Sequence, residues 1–466
     1  MGSVQQPGFQ VKKIAIIGAG PSGLAAAKYL KAQAAFDRIV IFEQRHQVGG
    51  IWNYTDAPPG PVPVPQTSPF FPLDSPVGSP APHAPPIFPS PMYEKLHANI
   101  TKTIMNFSHQ PFPPESCIFP SREHIHEYLL RYAQDVRGLV NFGFQVTNVS
   151  LLSDLGRDRW SLQARSTVDD RVIDDVFDAL VVANGHYSVP FIPPIQNIAS
   201  FHQAHPAVIT HAGQYRAADA FRDKKVVVVG NGPSGTDIAL QINHVSKGKT
   251  LLSVRSPTPP ERLAHMGCDE APEIDAFIVH QRAVRFKDGR LETDVDAVVF
   301  CTGYLFNFPF LHHLRPKLVT NGQGVHGLYK HLFYVRHPTL AFASLLIKSV
   351  PWHVAEAQAA ALAAVWSNNL DLPPAEEMQR WSCDLHDNNG ERLQLLQPGG
   401  DYHYINEFHD WVLKAKHLGM EPPRWSDEDF WHRIVMLEAK RLFEAQGCNA
   451  TTFDELGLRY DPNRQR

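Results

Sequence analysis

The chain has 466 residues, 43 Lys plus Arg against 47 Asp plus Glu, a formal charge of −4, and 43% hydrophobic residues of which aromatics are a large part. That length calls for more than one compact domain, and that apolar content excludes wholesale disorder. A nearly balanced charge without a basic block excludes nucleic acid as the expected partner, and no apolar run approaches the roughly 20 residues of a membrane span.

The first element is the run Ile14-Ala15-Ile16-Ile17, entering Gly18-Ala19-Gly20-Pro21-Ser22-Gly23, with Glu43 and Gln44 closing the next apolar run. This is the strand–glycine turn–helix pattern of a dinucleotide site. Its glycines admit a pyrophosphate, and the helix N-terminus offers free N–H groups and a positive dipole end. Glu43 suits a bare ribose diol, which points to FAD. The unit is expected over about 11–44.

Next comes an excursion over 57–91 in which 14 of 35 residues are proline. Proline at that density forbids helix and sheet ladders and favours extended chain. A surface excursion anchored at both ends is the expected form, with a wall of the substrate entrance as its further role. A helix follows over 122–137 with Ser121 as its cap, then strands near 144–152 and 160–164. The segment 190–206 is proline-punctuated and reads as a crossing between domains.

The second glycine turn is Val226-Val227-Val228-Val229 entering Gly230-Asn231-Gly232-Pro233-Ser234-Gly235, with Arg255 closing its next run. Arg255 lies 25 positions beyond Gly230, as Glu43 lies 25 beyond Gly18. Its opposite charge, flanked by Ser253 and Ser256, suits a 2′-phosphate and therefore NADPH. A second repeat, Asp178…Gly185 and Asp296…Gly303, encloses an apolar run in both copies. Each reads as a buried parallel strand whose final glycine abuts a cofactor or the passage between domains. Helices are expected at 355–366, 404–416 and 427–445.

The expected fold is α/β, with two Rossmann-like dinucleotide-binding domains and the NADPH domain inserted into the FAD domain. The FAD domain takes 1–206 and 305–466, and the NADPH domain 207–304. Five scattered cysteines without a C-x-x-C suit reduced thiols rather than disulfides or zinc, and no histidine cluster has ligand spacing, so no metal is expected. His124 and His126, two apart, would point to different sides of a helix. The serines of Gly-Pro-Ser-Gly sit at phosphate turns and not in a nucleophile elbow. With flavin and nicotinamide present, the protein's task is to position cofactors, exclude water and shape electrostatics.

These motifs together resemble the class B flavin-containing monooxygenases over nearly the full chain. Gly49-Gly50-Ile51-Trp52 matches that family's G-G-x-W, and Met92-Tyr93 with Leu96 and Asn99 its M-Y-x-x-L-x-x-N segment. Phe119-Pro120-Ser121-Arg122, Gly185-His186, Cys301-Thr302-Gly303-Tyr304 and Pro338…Phe342 resemble further family elements. His211-x-x-x-Tyr215 fits the inter-domain fingerprint, although Phe201 lies ten residues before His211 instead of six, a spacing that resembles yeast-type fungal members.

The resemblance implies a cycle in which NADPH reduces FAD and a C4a-hydroperoxyflavin transfers one oxygen of O2 to a soft nucleophile. It places Gly18 to Gly23, Glu43, Gln44, Gly50, Ile51, Trp52 and Asn99 at FAD. It places Gly230, Gly232, Pro233, Ser234, Gly235, Ser253, Arg255 and Thr302 at NADPH. Asn99 is the candidate catalytic donor, an amide neutral at every working pH, and His211 and Tyr215 order the linker. The expected acceptor is a nitrogen, or secondarily a sulfur, of a small molecule, as in fungal alkaloid N-oxygenation towards nitrones in secondary metabolism. A Baeyer–Villiger oxygenase is the alternative, disfavoured by Tyr215-Arg216. A non-oxygenating FAD/NADPH redox sensor, supported by the proline-rich stretch, is another. The expected setting is cytoplasmic, without nucleic acid or membrane, with a homodimer as candidate assembly.

Overall fold

The computed structural model describes residues 8–78, 85–154 and 157–463, so residues 79–84 of the expected excursion lie outside the described residues. The first glycine turn joins β1 (Lys13–Ile17) to α1 (Pro21–Ala32), and β2 (Arg38–Glu43) pairs parallel to β1. β3 (Val140–Phe142) extends that edge, and β4 (Ala179–Val182) lies on the other side of β1. Three short strands, Leu328–Tyr329, Phe333–Tyr334 and Leu340–Phe342, complete a seven-stranded sheet beyond β4. The chain therefore returns to its first sheet after building a second.

That second sheet has five strands: β5 (Ile209–His211), β6 (Val226–Val229), β7 (Leu251–Val254), β8 (Asp269–Pro272) and β9 (Ala297–Phe300), in the order β8-β7-β6-β9-β5. β6 feeds α3 (Pro233–Asn243) as β1 feeds α1, and α4 (Pro260–Met266) follows β7. The NADPH domain is inserted into the FAD domain.

The Asp…Gly repeat acquires a physical meaning here. Asp178, just before β4, accepts from the backbone N–H groups of Lys12 (2.9 Å) and Lys13 (2.8 Å) at the start of β1. Asp296, just before β9, accepts from Lys225 N–H (2.9 Å) at the start of β6. Each aspartate satisfies strand-end donors and sets the register of two parallel strands, with Ile14 opposite Ala179 and Val226 opposite Ala297. β4, β6 and β9 are wholly apolar because both faces of their sheets are covered. Ile14 and Ile16 have no exposed surface, which is worth about 1.5–3 kcal/mol each.

Helix positions differ from the expectation where tertiary contacts intervene. α2 (Arg122–Tyr132) starts at Ser121, whose hydroxyl accepts from His124 N–H, but ends five residues short of 137. The chain must turn there to bring β3 against β2, and Asp135 is pinned to α1 by Lys28 (2.8 Å). His124 is exposed and His126 half-buried. α5 (Pro351–Trp366) begins a turn earlier than expected, with Pro351 at its first position, and is buried from Trp352 onwards, so it carries no amphipathic signal. α6 (Ala375–Asn389) has no counterpart in the sequence reading, because only Met378 of it is buried. α7 (Gly400–Val412) is displaced towards the N-terminus of its expected range, and α8 (Asp427–Ala445) matches it, with Ser426 and Asp429 forming a capping box.

Candidate functional site

The two glycine turns are built alike. Gly18 (φ +106°) and Gly230 (φ +105°) occupy backbone space closed to other residues, and a Cβ on them would meet the carbonyl oxygens of Ala183 (2.5 Å) and Cys301 (2.8 Å). A Cβ on Gly23 or Gly235 would sit 1.9 or 1.8 Å from the carbonyl oxygen of Gly18 or Gly230, so helix and strand pack at a distance only glycine permits. Both helices are capped by glycine (Gly20 and Gly232) without any side-chain cap, and Pro21 and Pro233 occupy the first turn. The N–H groups of that turn, carried by Ser22, Gly23, Ser234 and Gly235, therefore point outward as anion donors.

The residues fit two dinucleotides. A Cβ on Gly232, Gly185 or Gly303 would project into open space at the carboxyl ends of the strands, the position such ligands take. In the first unit Glu43 is 3% exposed and accepts from Ala19 N–H (2.8 Å) and Arg45 N–H (2.9 Å), which fixes its carboxylate at the end of β2 against the glycine turn. Gln44 bridges Asp74 and Gln145. Gly50, Ile51 and Trp52 form a single tight turn docked on the first glycine turn through Gly49 N–H to Ala19 O (2.9 Å). Asn99 is half-buried, and among the described residues its amide takes no hydrogen-bond partner. Its backbone is held firmly: Ala98 donates to Pro120 O (2.8 Å) and accepts from the buried Lys440 ammonium (3.0 Å).

In the second unit Arg255 is 71% exposed and lies 3.7 Å from Glu273. It borders a cavity of about 250 Å³ with Pro257, Glu270 and Arg290. Arg290, absent from the sequence reading, is aimed by Asp288 (2.6 Å) and Glu270 O (3.1 Å). It belongs to a hairpin far along the chain, so no local motif marks it. Ser253 requires a correction: it is buried and donates its hydroxyl to Pro272 O (3.0 Å), because its position in β7 turns it into the sheet and away from a 2′-phosphate.

Between the units the two crossings pair with each other, Tyr304 opposite Pro190 and Leu305 opposite Val189, and Thr302 spends its hydroxyl on Phe191 O. His211 accepts from Gly213 N–H (3.1 Å) on Nδ1 and donates from Nε2 to Gly303 O (3.0 Å); burial pushes its pKa down to about 4, so it is a neutral spacer. Tyr215 donates to Gln241 (3.0 Å) and packs edge-on against Tyr93. Phe201 is fully buried against Phe277, a core residue of the second unit. Around the seam stand Tyr187, Tyr304, Phe306 and His186. Burial pushes His186 down to about 4 and the Cys301 thiol up to about 12. This wall offers neutral, largely aromatic groups and no acid–base pair.

The descriptions of known proteins agree with that geometry. The model of the flavin-binding monooxygenase-like family matches residues 89–259 and 272–410, and that of an NAD(P)-binding Rossmann-like domain matches residues 16–73. The chain belongs to the flavin-binding monooxygenase-like family. It is 30% identical over 434 residues to a thiol-specific monooxygenase of Saccharomyces cerevisiae, covering 89% of each chain. A flavin-containing monooxygenase of Arabidopsis thaliana, FMO GS-OX-like 2, is 31% identical over 392 residues, 81% of this chain and 78% of that one. Among solved structures, the S-allyl-L-cysteine S-oxygenase of Allium sativum has a TM-score of 0.76 at 26% identity, over 97% of this chain and 98% of that one. Cyclohexanone monooxygenase, at 14% identity and a TM-score of 0.52, shares the fold alone. This monooxygenase is of the N/S-oxygenating type and uses FAD and NADPH. Among the described residues no helix is long and apolar enough to cross a membrane, and no group of three ligating side chains could hold a metal.

Proposed function

We propose that this monooxygenase oxygenates the sulfur of a small thiol or thioether. The neutral wall of Tyr187, His186, Tyr304 and Phe306 between two nucleotide turns carries this reading. A soft, uncharged nucleophile enters such a seam with little desolvation cost, whereas a charged group would be excluded. The named activities of the yeast and garlic relatives agree. When bound, FAD reduced by NADPH activates O2 and supplies the oxygen atom.

The chain's own contribution is positional: the first glycine turn and Glu43 hold FAD, and the second turn with Arg255 holds NADPH. Asn99 would offer FAD a neutral amide donor, on backbone whose preceding residue, Ala98, is held by Lys440 and Pro120. The aromatic wall also fits an indoline-like amine, which keeps nitrogen oxygenation in fungal secondary metabolism as the second reading.

The test is steady-state turnover under 18O2 with a panel of thiols, sulfides, amines and ketones. One labelled oxygen per NADPH in a sulfur product supports the first reading, a labelled N-oxygenated product the second, and a labelled ester a Baeyer–Villiger enzyme. Stoichiometric H2O2 without labelled product across the panel overturns all three. Asn99→Ala is expected to divert NADPH oxidation to H2O2 at normal FAD content, and unchanged coupling removes the residue from the mechanism.

A further inference from the structure

Arg216 lies between β5 and β6, at the edge of the NADPH unit. Its two Nη groups donate to carbonyl oxygens, its buried Nε has no hydrogen-bond partner among the described residues, and Asp56, Tyr54 and Tyr304 act on it at longer range. Nη1 donates to Tyr215 O (2.8 Å), Gly213 O (3.1 Å) and Met92 O (3.2 Å). Nη2 donates to Ser90 O (2.9 Å) and Ala57 O (3.2 Å). Two of these acceptors belong to its own unit, and three lie on the flavin side. Ala57 and Ser90 are the two ends of the proline-rich excursion. Among the described residues no carboxylate is in ion-pair contact with Arg216, and burial lowers its pKa.

Over its described residues 57–78 the excursion meets both crossings. Gln66 exchanges backbone hydrogen bonds with Ile192 on the outward crossing (2.9 and 2.8 Å). Phe71 O accepts from Asn307 on the return crossing (3.0 Å). Val62 and Val64 pack against the core of the NADPH unit. Extended proline-rich chain makes few internal hydrogen bonds and keeps its length, so it serves as a strut if its ends are held. Further ties join the two sides: beside the staple Tyr93 donates to Asp237 and Glu94 N–H donates to Arg216 O (2.9 Å), and elsewhere Arg262 pairs with Glu444 (2.8 Å).

We propose that Arg216 is a positioning residue that staples both ends of the 57–91 excursion to the NADPH unit and so sets the angle at which nicotinamide meets flavin. A planar fork with five donors spans carbonyls on several segments at once; a lysine, a flexible point charge with three donors, cannot. The second glycine turn and Arg255, which would hold the adenosine end of NADPH, contribute no atom to the staple. Loss of Arg216 therefore leaves the coenzyme bound and spoils hydride delivery. This inference rests on the two cofactors and not on the acceptor atom, so its test stops before oxygen is added.

The experiment compares wild-type holoenzyme with Arg216→Ala and Arg216→Lys by anaerobic stopped-flow reduction with NADPH and by hydrogen exchange over 57–78 and 85–91. In both variants the limiting reduction rate is expected to fall roughly 10- to 100-fold, the scale of a misplacement of about 1 Å. The NADPH Kd is expected to stay within about twofold, because the glycine turn and Arg255 are untouched. FAD content and dithionite reduction are expected to be normal, and exchange near 57 and 90 faster. Should Arg216→Ala fail to fold, Arg216→Lys, which retains the charge, carries the test alone. Wild-type reduction rate or wild-type protection in Arg216→Lys overturns the proposal, as does a loss of NADPH affinity that matches the loss of rate.

Discussion

The two glycine turns share a backbone conformation, Gly18 at φ +106° and Gly230 at φ +105°, yet their discriminating residues are held in opposite ways. Glu43 is buried and locked by two backbone N–H groups, one of them from the glycine turn itself. Arg255 stands in solvent beside a cavity, loosely opposed by Glu273 at 3.7 Å. The first site is built to keep its nucleotide and the second to exchange it. A buried carboxylate held by N–H donors is pre-organised, whereas an exposed guanidinium is screened by salt and ordered only by its ligand.

Gly23→Ala and Gly235→Ala break the comparison most severely. A Cβ less than 2 Å from a carbonyl oxygen forces the helix off the strand, and overpacking of that kind costs about 1–3 kcal/mol or more. Gly23→Ala is expected to yield colourless or insoluble protein. Gly235→Ala is expected to remain yellow while losing NADPH binding, which flavin absorbance and coenzyme titration distinguish. If both lose FAD, the units are not independent.

Glu43→Gln tests the locked site, since removing a charged acceptor from two buried donors costs about 1.5–3 kcal/mol, which is roughly 10- to 100-fold in FAD affinity. The open site is tested by Arg255→Ala, for which the KM for NADPH is expected to rise about tenfold, with little change for NADH and a reduced effect at high salt. Equal effects on both coenzymes would remove Arg255 from the 2′-phosphate. Arg290→Ala sharpens this by asking whether the cavity uses both guanidinium groups. Ser253→Ala, the smallest effect, is expected to lower stability by about 1 kcal/mol through its lost bond to Pro272 and to leave NADPH affinity unchanged.

The buried histidines, His186 and His211 at the seam and others away from it, have a pH signature. Burial pushes His186, His211, His353 and His432 down to about 4 and His331 to about 3, while an unfolded histidine titrates near 6.5. Below about 6.5 the unfolded chain takes up protons that the folded chain refuses, so stability falls as pH drops towards 4. Glu356 acts in the opposite sense: burial raises it to about 7, the folded state binds its proton first, and stability rises as pH drops through 7. Among the described residues, histidines lowered by burial outnumber the two buried carboxylates that burial raises, Glu356 and Asp237, so the denaturant midpoint is expected to decline from pH 6.5 to 4. A midpoint that holds steady across that range means that the histidines are not neutral in the folded protein.

Much of this was legible from residue order alone, because the relevant physics is local. A glycine with positive φ, a proline opening a helix and a charged residue at a strand end act within one strand–turn–helix unit, so both dinucleotide turns could be read from spacing. The Asp…Gly repeat could be recognised but not explained, since Asp178 and Asp296 act on Lys12, Lys13 and Lys225, which meet them only when parallel strands align. Ser253 was misread because strand alternation in β7 decides which face a side chain takes. Arg290 escaped altogether and Arg216 was read only as the residue after Tyr215: one closes a cavity from a distant hairpin, and the other gathers carbonyls from segments far apart in the chain. Short-range backbone geometry is written into the residues that need it. The partners of a guanidinium are set by which backbones the fold brings together, and that was decided by tertiary structure.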